Sequence, residues 1–134
     1  MSQNSTHNSF IFNQKFDTNF IFSLYEDDFG YIEEIFGITL GQLLPDLEHV
    51  EAAHESGDRE NLRKAVHKIK PSFGFVGLLS SQEVCKNFEG LCHPDTSAEA
   101  LETNYNQLWS ILLDSKTLIT EEYQRIQEFN QRNA

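Results

Sequence analysis

The chain has 134 residues, 39% of them apolar, with 16 aromatics (11 Phe, 4 Tyr and 1 Trp), enough for one core of ordinary size and too little for two domains. A formal charge of −11 with only ten lysines and arginines excludes nucleic acid as the general partner, because phosphate binding needs a basic footprint. No apolar run of about 18 residues and no basic-then-apolar leader occurs, so the expectation is a soluble, intracellular, cytoplasmic protein without a membrane span.

Residues 1–16 are rich in Asn, Ser and Gln and are expected to be a flexible segment, except where Phe10, Phe12 or Phe16 finds the core. A short first helix is predicted from Thr18 to Tyr25, with Asp17 as its cap. From Asp28 to about Ser56 the residues Phe29, Ile32, Phe36, Leu40, Leu43, Leu47, Val50 and Ala53 recur in steps of three and four, one buried stripe of a long helix. The stripe stays in phase across Pro45, so that proline kinks the helix rather than ending it. Ser56-Gly57-Asp58 closes it and caps the next, whose inner face is Leu62, Val66, Ile69, Phe73 and Val76 and which ends near Gly77. A capping box, Ser80 with Glu83, opens a fourth helix along Val84, Phe88 and Leu91, closed by His93-Pro94-Asp95. Thr96 with Glu99 opens the last, running to about Phe129 along Leu101, Tyr105, Leu108, Leu112, Ile119 and Ile126. No stretch alternates as a strand does and no hairpin signal occurs, so the fold class is all-α: an antiparallel four-helix bundle with a short extra N-terminal helix. Cys85 and Cys92 stand about 10 Å apart on one helix, beyond disulfide reach, and are read as reduced thiols. His49 and His54, like Cys85, Cys92 and His93, lack metal-ligand spacing, so no metal site is expected.

The chemistry concentrates in the third helix. Residues 59–70 hold Arg59, Arg63, Lys64, Lys68 and Lys70 against Glu60 alone, a local charge of +4 in a chain otherwise carrying −15. At 100° per residue with His67 at zero, the apolar stripe lies on the far side and the histidine points to solvent. Around it stand Lys64 at about 60°, Arg63 at −40°, Lys70 at −60°, Gly74 at −20° and Gly77 at −80°. A mid-helix glycine costs about 1 kcal/mol and a proline about 3 kcal/mol, yet the helix carries both, with Pro71 four residues after His67. Local rules broken at one spot mark a functional site. Here they strip bulk from the surface beside an imidazole, which would let another macromolecule approach it closely. Phe75, at about 80°, is displaced from the core stripe and reads as part of a docking patch on the surface shared with the long second helix.

The stretch Val66-His67-Lys68-Ile69-Lys70-Pro71-Ser72-Phe73-Gly74-Phe75-Val76-Gly77-Leu78 resembles the signature of histidine phosphotransfer (HPt) domains, with lysine three residues after the histidine and glycine ten after it. The helix order matches as well, so the resemblance covers a bundle domain at residues 17–130. It implies a phosphorelay protein in which His67 is the phosphoacceptor, Lys70 the phosphate-neighbouring lysine and Gly77 the permissive small position; Pro71 stands where the family usually has glycine. The implied partners are response-regulator receiver domains and a histidine kinase or hybrid kinase. A neutral imidazole is itself a good nucleophile near pH 6.5, and the cations Lys70, Lys64, Lys68 and Arg63 would stabilise the charge of the transferred group. No cofactor is expected on this chain; Mg would sit with the acidic pocket on the receiver. No Walker or kinase motif occurs, so ATP-dependent autophosphorylation is not expected and the protein reads as a stoichiometric phosphocarrier. Two alternatives are weaker. A sensor-kinase dimerisation hairpin places an acid where Lys68 stands, and a non-catalytic helical interaction module leaves the broken rules around His67 unexplained.

Overall fold

A computed structural model describes residues 9–134, which form five helices. They are α1 (Thr18–Tyr25), α2 (Phe29–Ser56), α3 (Arg59–Phe75), α4 (Leu79–Leu91) and α5 (Ala98–Arg132). The longer four close a ring of contacts, α2 on α3, α3 on α4, α4 on α5 and α5 on α2, so the fold is the expected all-α bundle with an extra N-terminal helix. Its axis is filled by Phe36, Leu43, Val50, Val66, Ile69, Phe73, Leu112, Ile119 and Ile126, all buried.

Carboxylate caps start three helices, two of them, Asp17 and Asp58, as read from the sequence. Asp17 accepts from Phe20 N at 2.9 Å, Asp28 from Tyr31 N at 3.0 Å, and Asp58 from Glu60 N and Asn61 N at 3.0 and 3.1 Å. Both α2 and α3 run through their prolines, Pro45 and Pro71, with the buried stripe in phase on either side. Gly57 takes the left-handed conformation (φ +74°) that ends α2.

Two caps differ from the sequence expectation. The Ser80–Glu83 box does not form, because α4 has already begun at Leu79. Gly77 (φ +79°) ends α3 in a Schellman turn, with Leu78 N donating to Phe73 O at 2.8 Å and Gly77 N to Gly74 O at 3.2 Å, and that turn feeds the chain straight into α4. Core burial of Leu78 replaces a side-chain cap. At α5 the cap is Ser97, not Thr96: Ser97 Oγ accepts from Ala100 N at 3.1 Å. The Thr96 carbonyl instead accepts from Arg59 Nη1 at 2.6 Å, as does that of His93, which ties the α4–α5 loop to the start of α3. The last helix also runs three residues past Phe129, to Arg132.

Residues 1–8, half of the segment expected to be flexible, lie outside the described residues. Beyond them Phe10, Phe12 and Phe16 are all buried, Phe10 edge-on to Phe129, Phe12 edge-on to Phe22 and stacked with Phe36, and Phe16 tilted against Phe36. A buried carboxylate on α5, Glu122, accepts from Asn13 N at 2.6 Å and pairs with Arg125. The same guanidinium donates to Ile11 O at 2.9 Å and lies over the Phe10 ring. The strap therefore has both an apolar and an ionic anchor on α5.

Candidate phosphotransfer site

His67 sits in mid-α3 with 64% of its side chain exposed. Its Nδ1 lies 2.8 Å from Glu89 Oε1 on α4, and Lys70 Nζ lies 2.7 Å from Oε2 of the same carboxylate. That second contact is an ion pair outside directed hydrogen-bond geometry. Burial pushes the Glu89 carboxyl up, but the contacts and charges of Lys70 and His67 outweigh it and hold the pKa below the ordinary value. An ionised carboxylate only accepts, so the shared proton stays on Nδ1. Whenever the ring is neutral, its lone pair is therefore on Nε2, the nitrogen left free of Glu89.

On one side of His67 the surface is open. Lys64, Lys68, Pro71 and Phe75 are all exposed, Phe75 by 53% although it is a large apolar residue. Lys68 leans towards α2, where its Nζ lies 3.6 Å from Oδ1 of Asp46, a carboxylate only 2% exposed. On α2 itself, Ile38 is a further large apolar residue left exposed, by 69%. The Tyr25 hydroxyl donates to the Phe75 carbonyl at 2.8 Å, satisfying a backbone acceptor at the end of α3.

The other side is closed over its glycines, and here two expectations are corrected. Gly74, expected to leave the docking surface open, is buried; a Cβ there would meet Gln82 Nε2 of α4 at 2.6 Å. Gly77 is likewise covered rather than permissive to a partner, because its Cβ would fall 2.7 Å from Ile21 Cγ1 and 3.2 Å from Asp17 O of α1. Arg63 stays at the surface, its guanidinium forked onto Glu60 at 2.8 and 2.9 Å, a contact that lowers the Glu60 pKa. The wheel of a single helix carries no information about what the neighbouring helices lay over it.

Two residues escaped sequence reasoning, Glu89 and Asp46. Glu89 follows Phe88 at the edge of the α4 stripe, where a carboxylate looks like solvated surface. Asp46 left a usable signal, since it falls three after Leu43 and four before Val50, a position at which the α2 stripe calls for an apolar side chain. Both cysteines are free, with burial pushing their pKa values up, Cys85 to about 12 and Cys92 to about 11. Among the described residues, no helix is long and apolar enough to cross a membrane.

A family model described as the Hpt domain matches residues 34–129, from the first turns of α2 to near the end of α5. No curated protein and no solved structure matches the chain. The N-terminal strap and α1 lie outside the matched span, whereas α3 and α4 lie wholly inside it and α2 and α5 for most of their length. The chain belongs to the Hpt domain family, and its function is phosphotransfer in a phosphorelay, as a phosphocarrier and not a kinase.

Proposed function

We propose that His67 is the phosphoacceptor, taking a phosphoryl group from the aspartate of a response-regulator receiver domain, or of a hybrid kinase, and passing it to another. The observation that carries this is the shared carboxylate: Glu89 holds His67 by Nδ1 and Lys70 by its ammonium, which leaves Nε2 available beside a positioned cation. In the forward step Nε2 attacks phosphorus, the N–P bond forms, the acyl phosphate P–O bond breaks and the aspartate leaves as carboxylate. The ring keeps its Nδ1 proton and becomes cationic, and Glu89 opposite that N–H stabilises the charge. Lys70, three residues along the same helix, lies within reach of the phosphoryl oxygens where negative charge gathers. This chain brings the nucleophile and the cations; the metal and the acidic pocket stand on the receiver, and the exchange takes place in the cytoplasm.

The receiver docks on the open side, over Lys64, Lys68, Pro71 and Phe75 of α3 and Ile38 of α2, which combine exposed apolar side chains with positive charge. Two of the other described histidines are engaged elsewhere. His54 is stacked on Tyr105 and held by Glu102 at 2.7 Å, and His93 pairs with Asp95. Incubation with a phosphorylated receiver domain is expected to give an acid-labile, alkali-stable adduct on the wild-type chain and none on His67→Gln. Labelling of His67→Gln at the wild-type level overturns the assignment.

A further inference from the structure

A carboxylate buried to 2% exposure inside a helical stripe is costly unless it is paired, and Asp46 has two partners. Gln42, one turn earlier on α2, donates its amide to Oδ1 at 3.1 Å, and Lys68 brings its ammonium to 3.6 Å from the same oxygen. Lys68 is next to His67 in the chain and itself 60% exposed, so its charge stays at the surface while its position is fixed from below. His67 is thus bracketed by two lysines, each held by a carboxylate on a different neighbouring helix: Lys70 by Glu89 on α4 and Lys68 by Asp46 on α2. The α4 pair touches the imidazole. The α2 pair does not, and faces the open side.

We infer that Asp46 is a positioning residue for phosphotransfer: it holds the Lys68 ammonium on the α2 rim of His67, where the acidic surround of an incoming phosphoaspartate arrives. The inference rests on the phosphohistidine reading above. A lysine free to sweep its four-carbon stem loses rotamer freedom each time a receiver docks; one already tethered loses less. The benefit therefore lies in engagement of the receiver, not in the chemical step.

The test is the initial rate of transfer against concentration of a phosphorylated receiver domain, for wild type, Asp46→Asn, Lys68→Gln and the double variant, each melted in parallel. Asp46→Asn is expected to raise the half-saturating receiver concentration about three- to tenfold, with the saturating rate within about twofold of wild type. The double variant should match Lys68→Gln alone, because Asp46 acts through that ammonium, and Lys68→Arg should restore most of the loss. An unchanged half-saturating concentration in Asp46→Asn overturns the inference, as does a full Asp46→Asn effect in the Lys68→Gln background, which marks Asp46 as packing only. Should Asp46→Asn lose its cooperative melt, Gln42→Ala takes its place. It leaves the carboxylate charged but unbraced, and a rise that vanishes with Lys68→Gln supports the inference while no rise overturns it. Failure of the relay reading is separable, since in that case wild type itself takes no label on His67.

Discussion

The two sides of the His67 meridian of α3 both carry cations and have opposite fates. On one side Lys64, Lys68, Pro71 and Phe75 stay exposed along the rim shared with α2. On the other, Lys70 is drawn to Glu89, Gly74 lies beneath Gln82 and Gly77 beneath Ile21. Small residues and cations on an isolated helix wheel look alike whether they serve a partner or a neighbouring helix of the same chain. The difference lies in the register of α4 and α1 against α3, which one helix does not contain.

Loading the closed side should do the greatest harm to folding. At Gly77 an alanine meets two obstacles at once, a left-handed φ of +79° and a Cβ 2.7 Å from Ile21 with the Asp17 carbonyl behind it. The backbone oxygen cannot swing away, and Asp17 N is itself bonded to Gly77 O at 2.8 Å. Gly77→Ala is expected to cost about 2–4 kcal/mol, read as a lowered melting temperature and denaturant midpoint with an unchanged m-value. A melt equal to wild type would mean that α1 is not seated on the end of α3.

Much of this was legible in the sequence, for identifiable reasons. Aspartates at helix starts satisfy backbone donors through short-range contacts, so Asp17 and Asp58 were readable as caps and their helices as elements. The exposure of His67 followed from periodicity alone. Where Ser80 and Thr96 misled, the neighbouring residues decided: the Gly77 turn starts α4 at Leu79, and Ser97, one residue on, supplies the α5 cap. Glu89 was illegible because its partners come from another helix 19 and 22 residues away, Lys70 and His67, at a register no local pattern encodes.

Changes at the shared carboxylate should act on the chemistry more than on the fold. Lys70→Ala is expected to slow transfer about tenfold and to shorten the phosphohistidine lifetime, with circular dichroism unchanged. Glu89→Gln keeps the shape but removes the charge that holds the Nδ1 proton, so transfer should slow by a similar factor and its pH profile should shift. The sign of its stability effect follows from the depressed pKa. The ionised form is favoured in the folded state, so its stabilisation is fully present above the ordinary carboxylate value of 4.5 and is lost as pH falls through the lower folded value. The gap in melting temperature between wild type and Glu89→Gln should therefore be open at neutral pH and close in acid. A gap that widens on acidification would contradict the ionic role of Glu89.

The smallest effect is expected at Gly74, and it separates the two sides most finely. The atom in the way of a Cβ there is Gln82 Nε2 at 2.6 Å, with the amide carbon at 3.3 Å, the far end of a flexible side chain rather than backbone. Gln82 can rotate aside at the loss of some contact, while alanine gains up to about 1 kcal/mol of helix propensity over glycine. The two terms oppose each other, so Gly74→Ala should melt within about 1 kcal/mol of wild type. Transfer should also be normal, because the receiver meets the α2 rim and Gln82 already covers Gly74 from the α4 side. Phe75→Ala, one residue along but on the open side, should instead weaken receiver engagement with little change in the melt, since about half of that ring already faces solvent. If transfer falls with Gly74→Ala and not with Phe75→Ala, the receiver approaches over α4, and the assignment of open and closed sides is reversed.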